Sequence, residues 1–168
     1  MTHKTYILLL LITATLTGCG IYSFTGASIP PGTKTFQVNR FENTALLVEP
    51  GLERDFQNTL IQILENQTNL SNVNSNGDLV YEGEITDYRI SPTTATAQST
   101  AAQNRLTISV KVRFFNRKKA EDDLEQSFSF FYDYPGSAQL IGSQKTTAIE
   151  EIFERITQDV FNATLAKW

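Results

Sequence analysis

The sequence predicts an α+β two-layer sandwich, with two helices packed on one face of a four-stranded, mostly antiparallel sheet in the order β-α-β-β-β-α. Three observations predict it. Two segments repeat apolar residues at helical spacing, and four alternate apolar with polar residues as one-faced strands do. The 168 residues also suffice for one core, at a hydrophobic fraction of 40%.

The chain opens with an address rather than a structural element. Lys4 precedes the apolar run Tyr6–Ile12, and a weaker stretch continues to Leu16. That run is too short for a membrane-spanning helix, which needs about 20 residues. Leu16-Thr17-Gly18-Cys19 follows, and it is similar to the lipobox of a bacterial lipoprotein signal. The likeness implies that residues 1–18 are removed. Cys19 would then carry a diacylglyceryl thioether and an acyl group on the new amino terminus. Gly20 behind the cysteine implies the outer membrane as destination. No other cofactor is expected.

Residues 19–32 form a lipidated tether that Pro30-Pro31-Gly32 ends. Residues 33–168 make the single sandwich domain. Its first strand spans Thr33–Phe41, with Phe36 and Val38 on one face. Glu42–Glu49 is a connection. Pro50 suits the first position of a helix, with Glu49, Glu53 and Asp55 at its positive end. Leu52, Phe56, Leu60, Ile63 and Leu64 supply its stripe through Glu65. Asn66–Gly77 reads as loop.

Asp78–Ile90 is the second strand, with Leu79, Tyr81 and Ile85 facing one way and Glu82, Glu84 and Thr86 the other. An uncharged segment, Thr93–Gln103, leads to the cleanest alternation of all. Leu106, Ile108, Val110, Val112 and Phe114 face Thr107, Ser109, Lys111 and Arg113. A charged turn, Asn116–Asp123, joins it to Ser127–Tyr134, whose Phe128, Phe130, Tyr132 and Tyr134 share one face; the two strands make a hairpin. A helix from Ser143 to Leu165 closes the domain, with Ile149, Ile152, Phe153, Ile156, Val160 and Leu165 as its stripe.

The composition excludes whole classes of function. The net charge of −4 lacks the basic excess of a general nucleic-acid binder. His3 and Cys19 are the only residues of their types. With His3 removed and Cys19 lipidated, imidazole and thiolate catalysis and His-ligated metals are excluded. Neither Glu82 with Glu84 nor Asp122 with Asp123 has the spacing of a catalytic pair or a calcium loop. An enzyme is not expected, nor is a metal site.

Several pieces together resemble the LPS-assembly lipoprotein family (LptE). They are Cys19-Gly20-Ile21-Tyr22-Ser23-Phe24 at the lipid site, the element order, the Leu106–Phe114 strand, Ser127–Phe131 leading into Asp133-Tyr134-Pro135, and a final helix closing near Trp168. The resemblance implies a plug inside the lumen of a large outer-membrane β-barrel (LptD-like). It would lie on the periplasmic side, help that barrel to fold, and support lipopolysaccharide insertion in the outer leaflet. A polar lumen calls for a polar plug. The outward face carrying Thr107, Ser109, Lys111, Arg113, Ser127 and Ser129 fits that requirement.

The sequence departs from the family in one respect. Ser91–Asn104 and Pro135–Gln144 contain no Lys or Arg, where relatives place basic residues proposed to meet the anionic lipid. Arg89, Arg105, Lys111 and Arg113 remain as candidates for a lipopolysaccharide contact; the charge pattern favours an ordinary solvated strand face. The rival reading is a lipoprotein that binds a lipid or peptide independently, without a barrel.

Overall fold

The computed structural model describes residues 29–93, 103–136 and 139–166. Elements are numbered in chain order: β1 (Thr35–Val38), β2 (Glu42–Asn43), α1 (Leu52–Gln67), β3 (Ser71–Asn72), β4 (Leu79–Thr93), β5 (Gln103–Asn116), β6 (Leu124–Pro135) and α2 (Gly142–Leu165). The expected α+β sandwich with two helices is present. The sheet departs from the expectation of four mostly antiparallel strands. Among the described residues it has six strands, in the order β3-β1-β4-β5-β6 with β2 also on β4.

The sheet is mixed. β4, β5 and β6 run antiparallel, but β1 pairs parallel with both β3 and β4, and β2 pairs parallel with β4. The parallel pairings follow from connectivity. A helix between two neighbouring strands returns the chain to its starting end, so α1 makes β1 and β4 a parallel crossover. The two extra strands, β2 and β3, are two residues long and carry polar residues, and they sit inside segments that read as connection and loop.

α1 forms because Leu52, Phe56, Leu60 and Leu64 recur every four residues and bury completely. It starts later than expected. Gly51 stands before it at φ 85°, a backbone conformation that favours glycine, so Pro50 lies outside the helix rather than at its first position. The buried stripe of α2 includes Ile152, Phe153, Ile156, Val160 and Leu165, while Ile149 is half-buried. Two hydroxyls lie within that stripe. Thr157 donates to the Phe153 carbonyl at 2.7 Å and Thr164 to that of Val160 at 2.8 Å, so neither is buried unsatisfied.

The helices meet through aromatic rings. Phe56 lies edge-on between Phe41 at 5.0 Å and Phe153 at 5.2 Å, tying the β1–β2 connection to both helices. Beneath them Leu106, Ile108, Val110, Val112 and Phe114 are all buried, as their alternation predicts. In the expected row on β6, Phe128 and Tyr134 are buried and Phe130 and Tyr132 half-buried. The register slips between Ile85 and Asp87, where one extra residue bulges from β4. Beyond it Tyr88 faces the core while Arg89 is exposed, which resets the alternation for the rest of the strand.

Candidate interaction face of the sheet

The helices cover one face of the sheet. On the other, the outward residues of β4, β5 and β6 form a grid whose register brings opposite charges together. Arg113 stands opposite Glu82 on one side and Glu125 on the other; Lys111 stands opposite Glu84 and Ser127; Arg105 opposite Ser91 and Asp133.

Ion pairs follow from that register. Arg113 Nε donates to Glu82 Oε1 at 3.1 Å and its Nη1 lies 4.0 Å from Glu84. Lys111 pairs diagonally with Glu125, which holds the Glu125 carboxyl below its ordinary range. Arg105 clasps Asp133 through two hydrogen bonds of 2.7 and 2.8 Å. Arg89 lies 3.4 Å from Asp87 on its own strand.

Polar contacts fill the gaps between these pairs. Ser109 and Ser129 hydroxyls meet at 2.9 Å, Asn39 donates to Glu82 at 3.0 Å, and Thr44 to Glu84 at 3.2 Å. Phe131 is 42% exposed, and the Arg105 guanidinium lies 3.5 Å from its ring centroid.

Each of the four cations singled out from the sequence is thus on this face and paired with a carboxylate. The structure spreads them along the strands rather than converging them on one point. An anionic ligand at any of them would compete with a carboxylate already in place. Sequence reasoning missed the partners Asp133 and Glu125 and the ring of Phe131. The signal that would have found them is the hairpin register, since alternate positions on its two arms carry opposite charges. Leu16, Thr17, Gly18 and Cys19 lie outside the described residues, as do residues 94–102 of the uncharged segment and Trp168.

Among the described residues, no group of three or more His, Cys, Asp or Glu could hold a metal ion, and no helix is long and apolar enough to cross a membrane. The depressions lined by described residues are open to solvent. One of about 500 Å³ lies between the helices, lined by polar residues such as Gln62, Gln67, Glu154 and Gln158.

The family model described as LptE, lipopolysaccharide-assembly, matches residues 33–164. The chain belongs to this family. The match spans every strand and helix of the sandwich and stops one residue short of the end of α2. Comparison with curated protein sequences finds no match.

Solved structures share the fold at low identity. The hypothetical protein CT253 from Chlamydia trachomatis is 12% identical, with a TM-score of 0.55 over 80% of this chain and 99% of that one. An uncharacterized lipoprotein B from Nitrosomonas europaea is 14% identical, with a TM-score of 0.51 over 86% and 88%. Protein XCC0632 from Xanthomonas campestris is 13% identical, with a TM-score of 0.51 over 83% and 90%. These likenesses are of fold. The family match carries the assignment to lipopolysaccharide assembly.

Proposed function

We propose that this chain is an outer-membrane lipoprotein, acylated at Cys19, that plugs the lumen of an LptD-like β-barrel, supports its folding and serves lipopolysaccharide insertion. The observation that carries the reading is the polar face of the sheet that no described helix covers, in a chain of the lipopolysaccharide-assembly family. A barrel lumen is wet and polar, so its plug must present hydrogen-bonding groups rather than apolar area. Arg113, Lys111, Ser109 and Arg105 with their partners do so along the length of β5.

The role is one of shape and hydrogen bonding, with no bond made or broken by the folded domain. Because every candidate cation on this face is engaged by a carboxylate, we place the barrel contact ahead of a direct lipopolysaccharide contact. Detergent extraction of tagged protein from its own envelope tests the reading. A large β-barrel recovered near one-to-one is the expected result. A stable lipoprotein recovered alone would favour an independent binder instead.

A further inference from the structure

The β2–α1 connection carries three consecutive aliphatic side chains to the surface. Leu46 is fully exposed, and Leu47 and Val48 are 57% and 65% exposed. Exposed hydrophobes are ordinary when scattered singly; three in a row at the tip of a built loop are not.

The base of the loop is held on both sides. The Asn43 side chain accepts from the Ala45 N–H at 3.2 Å and donates to the Glu49 carbonyl at 3.4 Å. Ala45 itself is buried, the Thr44 N–H donates to the Ile85 carbonyl at 2.9 Å, and the Glu49 carboxylate takes a hydrogen bond from Lys145 of α2 at 2.9 Å. The protein therefore spends polar contacts on presenting an apolar tip.

We propose that Leu46, Leu47 and Val48 form a finger that inserts into the headgroup–acyl boundary of a zwitterionic bilayer and gives the free lipoprotein a second attachment beside its anchor. The exposed tip is aliphatic, with no aromatic ring or polar side-chain atom to orient it in a protein pocket. An acyl boundary accepts such a shape at a gain proportional to the area buried.

Charge selects the lipid. Glu42 and Glu53 flank the finger together with Arg40, Arg54 lies beside Asp55 at 3.8 Å and Lys145 is held by Glu49, so carboxylates outnumber cations around the finger and the surround does not favour an anionic surface.

Reach agrees. Ile29 lies with Asn116, which pairs with Leu79, and the finger springs from beside Ile85. Six residues of strand separate these points, about 20 Å. The ten residues from Cys19 to Ile29 span up to about 35 Å, so anchor and finger can touch one leaflet. Engagement by a barrel would lift the finger from the membrane. The setting rests on acylation at Cys19, whereas the insertion does not.

Residues 20–168 contain every described element and lack the lipid, so they separate the two claims. Sedimentation with vesicles of phosphatidylethanolamine and phosphatidylcholine is expected to bind this chain, less so when phosphatidylglycerol is added. The L46S/L47S/V48S variant changes only exposed side chains and is expected to keep its circular dichroism while losing binding about tenfold or more. L47W in a W168F background is expected to shift its emission to the blue on neutral vesicles.

Three results would overturn the proposal. They are undiminished binding by the triple-serine variant, a blue shift that grows with protein concentration without vesicles (a second copy covering the finger), and binding confined to vesicles holding lipopolysaccharide. Acylation is read separately, from the mass of the amino-terminal peptide of envelope-purified protein.

Discussion

Arg105 and Asp133 face each other across β5 and β6, with Nε and Nη2 of the guanidinium each on one carboxylate oxygen at 2.7 and 2.8 Å. The hydrogen bonds with Arg105 hold the Asp133 carboxyl below its ordinary range and raise the guanidinium in turn. Since the same guanidinium covers the Phe131 ring, one ion pair both neutralises a cation and shields an exposed aromatic on the uncovered face.

A carboxyl titration followed by NMR is therefore expected to place Asp133 below 3.8, its ordinary value. Arg105→Gln should return it toward that value while the fold, by circular dichroism, is unchanged. An Asp133 midpoint that ignores the substitution would mean the clasp is not populated in solution.

Asp78 gives the sharpest pH dependence. Its carboxylate accepts from the Lys34 N–H at 2.9 Å, from the Thr35 N–H at 3.2 Å and from the Thr35 hydroxyl at 3.1 Å, with Lys118 at 3.1 Å. These bonds lower it from 3.8 to about 2. A carboxylate lowered in the folded state contributes stability that is whole above the unfolded value and lost as pH falls through the folded one. Thermal melts should thus show a fall in Tm between about pH 4 and pH 2 to which Asp78 contributes. Asp78→Asn should start from a lower Tm at pH 7 and show a flatter acid limb.

Gly83 on β4 has no room for a side chain. A Cβ there would sit 2.1 Å from the Lys111 carbonyl oxygen and 2.8 Å from the Phe41 ring. The first obstacle is backbone, which cannot swing aside. Gly83→Ala is expected to cost at least the upper end of the ~1–3 kcal/mol typical of overpacking, because β4 and β5 must separate there. Urea denaturation measures it, and a loss below about 1 kcal/mol would show that the two strands yield easily.

Phe56 is the junction of the helix layer. Being fully buried between Phe41 and Phe153, it should cost about 3–5 kcal/mol when replaced by alanine. Chemical denaturation of Phe56→Ala checks this, and the uncovered face of the sheet should keep its ion pairs.

What could be read from the sequence was what repeats. The alternation from Leu106 to Phe114 and the four-residue spacing from Leu52 to Leu64 each name a buried face, and burial confirms them residue by residue. β2 and β3 carry no such pattern. Glu42–Asn43 and Ser71–Asn72 are too short to alternate, and their strand character comes from backbone bonds to β4 and β1. The bulge after Ile85 was hidden for the same reason, since Thr86 differs from its neighbours only in how the ladder skips it.

The candidate face was half legible. Lys111 and Arg113 could be placed on an outward strand face, but their partners Glu125 and Glu82 lie on other strands and become neighbours only through register. The apolar finger was visible as Leu46-Leu47-Val48 but not as exposed. Asn43 and Glu49, which hold its base, look like ordinary loop residues in the sequence.

The plug reading is tested most directly by placing a photo-crosslinking amino acid at Ser109 or Ser129, in the middle of the uncovered face, and irradiating living cells. The account predicts that both positions join to one large outer-membrane β-barrel protein, whereas Ile108, buried behind the same strand, does not. Crosslinks from Ser109 and Ser129 that never include a barrel, in cells where the lipoprotein is abundant and folded, would contradict it.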